Sequence, residues 1–211
     1  VQTLGLKDIT LVMHDFGGPV GMGLLAQMPD KVKRVISVNG PTPFGQTELL
    51  SRLTANAGKS PWFQWILSAN ENHTLRPILE HSHYSILSTL KLNGFVDNSV
   101  ITETWINAYQ SPFPTGEYTG GIIGWAEGFA QGRHEFAQPT PEVISLVRSK
   151  PAMAIWGKQD RTLHGDEFVP LFRQAFPDGN VHHLEDAGHY SPEDQPEEIN
   201  QLIHRFVQSS D

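Results

Sequence analysis

Three side chains in the 211-residue sequence could together carry out nucleophilic chemistry: Asp15, Asp160 and His189. Asp15 stands in H-D-F-G-G-P-V-G, between the β-branched run D-I-T-L-V-M (Asp8 to Met13) and the stretch G-M-G-L-L-A-Q-M-P-D, whose apolar residues keep helical spacing until Pro29. A side chain at such a strand-to-helix turn projects from the carboxyl end of a sheet, where open α/β sheets place their ligands. Gly17 and Gly18 are expected to let the helix approach the strand closely. A plainer reading makes Asp15 only the N-cap of that helix. Two later motifs shift the balance: W-G-K-Q-D-R puts Asp160, and E-D-A-G-H-Y puts His189, each just after a further strand and at the same end of the sheet. One carboxylate could then attack an electrophilic carbon to give an ester. An imidazole oriented by the other could activate water to cleave it.

These residues need a parallel sheet to bring them together, and the sequence supplies its parts. Short apolar runs without a polar break mark strands buried on both faces at Asp8 to Met13, Arg34 to Val38, Pro151 to Trp156 and Val181 to Leu184. D-E-F-V-P-L-F-R-Q-A-F and E-E-I-N-Q-L-I-H-R-F-V space their apolar residues three and four apart, as helices covering a sheet do. Between about Pro41 and Pro141 the pattern turns helical and aromatic, broken by S-P-F-P-T-G and T-G-G, with no repeat, charge run or Ser-rich linker. The expected organisation is an α/β core from residues 1–40 and 142–211, with a helical cap over 41–141.

Composition narrows the function classes. The length suits one domain with a full core, and 38% hydrophobic against 18% charged residues, with 19 Gly and 15 Pro, describes a folded protein rich in turns. Fifteen Lys+Arg against 23 Asp+Glu give a net charge of −8, which argues against nucleic acid as a partner. Without Cys there is no disulfide, thiolate metal site or Cys nucleophile. No run approaches the roughly 18 apolar residues of a membrane helix, so a soluble, cytoplasmic protein is expected. His81 and His83 in H-S-H-Y, with His73 nearby, read as solvated histidines in the absence of H-E-x-x-H, and no metal or cofactor is expected. Asn72-His73-Thr74 matches a glycosylation sequon by chance.

The segments H-D-F-G-G-P, A-Y-Q-S-P-F-P (Ala108 to Pro114), M-A-I-W-G-K-Q-D and A-G-H-Y-S-P-E-D resemble the haloalkane dehalogenases and their relatives in the α/β-hydrolase superfamily, from Leu4 to Val207. The elbow and His motifs are shared with epoxide hydrolases, whereas A-Y-x-x-P-F-P is the more dehalogenase-like piece. The resemblance implies an α/β-hydrolase fold with a cap insertion. It implies Asp15 as nucleophile, Asp160 as acid, His189 as base, and the backbone N–H of Phe16 as an oxyanion donor. The implied reaction is hydrolysis of a carbon–halogen bond to alcohol and halide, on a small apolar organic substrate with water and no cofactor. Epoxide hydrolysis is the alternative, with Tyr84, Tyr109 and Tyr118 as candidate phenol donors. A reading from another class is a non-catalytic remnant that binds a small apolar ligand. Phe16 departs from the family, which usually has a Trp there whose indole N–H grips the halide. Trp62, Trp65, Trp105 and Trp125 read as cap packing, and the substrate-pocket candidates are His14, Trp125, Tyr109 and Tyr118, with His14 inclined towards packing and hydrogen bonding. The resemblance also places the family's first strands, and a second oxyanion donor, before Val1. The edge of the Asp8 to Met13 strand is therefore expected to be bare and open to self-association.

Overall fold

The structure is a computed structural model that describes residues 1–45, 48–80, 94–132 and 138–210. Four strands, β1 (Ile9–His14), β2 (Val32–Val38), β3 (Ala152–Gly157) and β4 (Asn180–Leu184), form one parallel sheet in the order β1-β2-β3-β4. Because parallel neighbours require a crossover, each pair is separated by helix. Helix α1 (Gly17–Gln27) joins β1 to β2, and α7 (Gly165–Ala175) joins β3 to β4. All four strands lie where the apolar runs place them.

The period of two along a strand divides the core. Val35, Ala152 and Ala154 face Met22 and Leu25 of α1, Val147 of α6 (Pro141–Arg148), and Phe172 and Ala175 of α7. Their neighbours Ile36, Met153 and Ile155 face Ile199, Leu202 and Phe206 of α8 (Pro196–Ser209). β1 departs from the expected burial on both faces. Among the described strands it pairs with β2 alone, and Val12 is 50% exposed. An apolar run reports what a strand can bury, and burial also needs covering neighbours; among the described strands β1 has one beside it.

The chain between β2 and β3 is largely helical: α2 (Leu49–Lys59), α3 (Pro61–Glu71), a helical segment at 75–80, α4 (Glu103–Gln110), α5 (Gly120–Ala130) and α6. Trp62, Phe63 and Ile66 of α3 pack with Ile123 and Ala126 of α5 against Trp156, Leu163 and Phe168 of the sheet's own layer. The buried Asn56 side chain fastens α2 to the loop after β3. It donates to the Thr162 carbonyl (3.1 Å) and accepts from the His164 N–H (2.9 Å). Lys59 adds ion pairs to Asp166 and Glu167. These contacts hold α2 against the loop that follows β3 and the helix after it.

Candidate active site

Asp15 sits in a strained turn. Its φ is +51°, a conformation that costs a non-glycine residue of the order of 1–2 kcal/mol. The N-cap position of α1 belongs to Phe16, with no side-chain cap bond, so Asp15 does not serve as the cap; its side chain turns to His189 instead. Of the two following glycines only Gly18 is needed for close approach, because a Cβ there would lie 2.0 Å from the Pro41 carbonyl oxygen. A Cβ on Gly17 would meet nothing, which corrects the expectation that both residues serve that purpose.

The three carboxyl-end loops converge on His189. Its Nε2 lies 3.3 Å from Asp15 Oδ1, and its Nδ1 lies 3.0 Å from Asp160 Oδ2. Asp160 is then completed by three further donors: the Thr162 and Leu163 N–H groups on Oδ1 and the Asn39 amide on Oδ2, each at 2.8 Å. Asn39, at the end of β2 with φ +43°, is fully buried and is absent from the sequence-derived candidates. Besides Asp160 it donates to the Gly188 carbonyl, and it accepts from Ser191 Oγ (2.6 Å) and the Gly157 N–H. One amide thus links the loops after β2, β3 and β4. The only signal for it in the sequence is N-G-P, which reads as a turn.

The His189 backbone is held as well. Its N–H donates to the Gly94 carbonyl (2.8 Å), and its carbonyl accepts from His14 Nε2 (2.9 Å). Gly188 must be glycine, since a Cβ there would lie 2.1 Å from the Gly94 oxygen. Asp194 anchors the same turn by accepting from the Gly188 N–H at 2.7 Å.

Both ring nitrogens of His189 face carboxylate oxygens, so both must donate and the ring is a cation. Burial opposes that charge, but the Asp160 charge and the hydrogen bonds of Asp15 and Asp160 outweigh it and raise His189 to about 10. For Asp15, burial pushes the carboxyl up. The His189 hydrogen bond and charge, with smaller help from His14 and the Phe16 N–H, overcome it and hold the group below its ordinary value. His14 goes the other way: burial and the neighbouring His189 charge lower it.

A cavity of about 280 Å³ opens beside Asp15 and His189. Its wall is mostly aromatic and aliphatic: Phe16, Trp62, Phe63, Trp125, Tyr190 and Ile122, with Gly121 and Thr162. Trp125 is the one pocket candidate from the sequence that lies here, edge-on to Phe16 at 4.4 Å. His14 packs behind the site, its ring 5.1 Å from that of His189. Tyr109 bonds Glu193 and lines a separate cleft with Ala108, Pro112 and Phe113, while Tyr118 is 61% exposed. These three do not line the cavity: His14 ends β1 behind the His189 ring, and the helical turns that carry Tyr109 and Tyr118 point those side chains elsewhere. Trp62, which the sequence assigns to cap packing, both stacks on Trp65 and lines the cavity. Tyr190, next to His189, has its phenol kept neutral, chiefly by burial and then by the Asp15 and Asp160 charges. His81, His83 and Tyr84 lie outside the described residues, and His73 is exposed. Among the described residues no group of His, Asp or Glu is placed to hold a metal ion, and no helix is long and apolar enough to cross a membrane.

The sequence profile of the α/β hydrolase fold family matches residues 1–196. The chain is 27% identical to the cis-3-alkyl-4-alkyloxetan-2-one decarboxylase of Shewanella oneidensis, over 98% of this chain and 62% of that protein. It is 24% identical to haloalkane dehalogenase 2 of Mycobacterium tuberculosis, over 98% of this chain and 67% of the relative. This chain therefore spans about two thirds of the length of these curated relatives. Among solved structures it superimposes on a Bacillus megaterium epoxide hydrolase in complex with an inhibitor with a TM-score of 0.70 and 21% identity, covering 99% of this chain and 72% of that one. With a parallel sheet, helices on both faces and a profile match over nearly its whole length, the chain belongs to the α/β hydrolase fold family.

Proposed function

We propose that this chain hydrolyses a small apolar haloalkane through a covalent alkyl ester on Asp15, with His189 as base, Asp160 as its orienting acid, and residues 41–141 acting as a cap over the core. The observation that carries the reading is the contrast between the two carboxylates on His189. Asp160 has its oxygens filled by four donors, whereas the Asp15 side chain is 35% exposed at the wall of an apolar cavity. A carboxylate with open lone pairs at the wall of an apolar cavity can attack; a saturated one orients.

In the first step an Asp15 oxygen attacks the carbon bearing the halogen. The C–O bond forms as the carbon–halogen bond breaks, its electron pair leaving with the halide. The Phe16 ring has no donor to offer, and the wall residues whose side chains carry one are Trp62, Trp125, Thr162 and Tyr190. Esterification removes the Asp15 charge and with it part of what keeps His189 protonated. The His189 pKa therefore falls, its proton leaves with the halide, and the ring becomes a base. In the second step neutral His189 takes a proton from water as the water oxygen attacks the ester carbonyl carbon. The Phe16 N–H, already directed at this carboxyl, receives the oxyanion. Collapse of the tetrahedral intermediate releases the alcohol and restores Asp15.

Epoxide hydrolysis is the second reading, and the Tyr190 phenol in the cavity wall is what favours it, as a proton donor to an opening ring oxygen. The cap phenols Tyr109 and Tyr118 do not reach the cavity. The test is to give the purified chain short 1-bromoalkanes, terminal epoxides and a 3,4-dialkyl oxetan-2-one side by side, measuring halide, diol and carbon dioxide. Halide release with no diol is the expected result. Diol alone, lost in Tyr190→Phe, would establish the second reading. Binding of haloalkane with no product in any assay would reduce the chain to a binding protein.

A further inference from the structure

We propose that His14 is a positioning residue for the base: through its side-chain bond to the His189 carbonyl it sets the distance between His189 and Asp15. His14 is the last residue of β1, and Asp15 is the next in the chain. Its Nε2 lies 2.9 Å from the His189 carbonyl oxygen, 175 residues away in sequence. A carbonyl only accepts, so the His14 proton sits on Nε2. Burial and the adjacent His189 cation keep His14 neutral, which leaves that one N–H as its donor. The strand that carries the nucleophile therefore also grips the backbone of the base.

The grip has a counterpart. The His189 N–H donates to the Gly94 carbonyl at 2.8 Å, so the residue is held on one side by β1 and on the other by the segment before α4. Between these anchors the ring must reach two carboxylates at once, and the Asp15 contact, at 3.3 Å, is already long for a charge-assisted hydrogen bond. A small displacement of the 187–190 turn would break that contact while leaving the shorter one to Asp160. His14 lies outside the cavity wall, so the effect falls on the base and leaves substrate contacts intact.

The kinetic consequence rests on the ester mechanism proposed above, and the test separates the two. His14→Leu removes the donor, and His14→Gln keeps one at a similar reach. With a short 1-bromoalkane as probe, rapid mixing and intact-protein mass spectrometry follow both formation and decay of the alkyl adduct. Expected for His14→Leu is adduct formation within about threefold of the parent but decay slowed about tenfold, the size of one ordinary hydrogen bond, with most of the decay rate restored in His14→Gln. KM should hardly move. Independently of any substrate, NMR of the resting protein should show the His189 ring N–H resonances in the parent and in His14→Gln, and shifted or lost to exchange in His14→Leu. Parent-like decay and resonances in His14→Leu, or equal impairment of both variants, would overturn the proposal. Should no adduct form in any variant, His189→Phe included, the ester mechanism fails while the resonances still decide the role of His14.

Discussion

The two carboxylates that share His189 are held in opposite ways. Asp160 lies in the loop after β3, 1% exposed at its side chain, with four donors around it. Asp15 follows β1, which among the described strands pairs with β2 alone, and stands at positive φ with its side chain about one-third exposed. A carboxylate that must stay put is worth saturating, because every unfilled lone pair in the interior costs free energy. In the proposed mechanism Asp15 attacks and so cannot be saturated, and its turn holds a positive φ. Function and stability should therefore separate between them.

The largest effects test that separation. Asp15→Gly should abolish turnover, a loss on the order of 10⁴-fold or more, yet leave stability within about 1 kcal/mol, since glycine relieves the positive φ and offsets the lost His189 contact. Asp160→Ala should also abolish turnover but cost about 3–5 kcal/mol in urea unfolding, because it strands two N–H groups, the Asn39 amide and a buried imidazolium. Equal stability losses in the two variants would erase the contrast. Asn39→Ala removes one donor from Asp160 and an acceptor from Ser191 and Gly157. It should lower kcat roughly 10- to 100-fold and stability by about 2–4 kcal/mol.

The ion triplet also predicts a pH signature. His189 is raised, so its contribution to stability is complete below its unfolded value of 6.5 and is lost as pH climbs through about 10. Asp15 is depressed, so its contribution is complete above 3.8 and fades as pH falls below that. The difference in thermal midpoint between the parent and His189→Phe should be largest between these limits and shrink on either side. A difference that grows from pH 7 to 10 would contradict the charged triplet. The smallest effect concerns the exposed Val12 of β1: Val12→Lys should change stability by less than about 0.5 kcal/mol while reducing any concentration-dependent association seen by sedimentation.

Four strands are readable in the sequence because each is a short apolar run closed by a turn. Asp15, Asp160 and His189 are readable because their types follow three of those runs in order. The rest depends on space. Asn39 reads as a turn residue until the loops that it bridges, 118 to 152 residues further along the chain, come within hydrogen-bonding distance. Trp62, Thr162 and Tyr190 enter the cavity through the rotation of their helices and loops, which periodicity alone does not set, and Tyr109 leaves it for the same reason. The exposure of Val12 depends on what flanks β1, a property that lies outside the run itself.

The nucleophile claim is tested most directly by mass spectrometry of His189→Phe after exposure to a 1-bromoalkane. An added alkyl group is expected on the peptide that contains Asp15, persisting because no base cleaves the ester, and none on the peptide that contains Asp160. A folded variant that binds the haloalkane and stays unmodified, or that carries the alkyl group on Asp160, would contradict it.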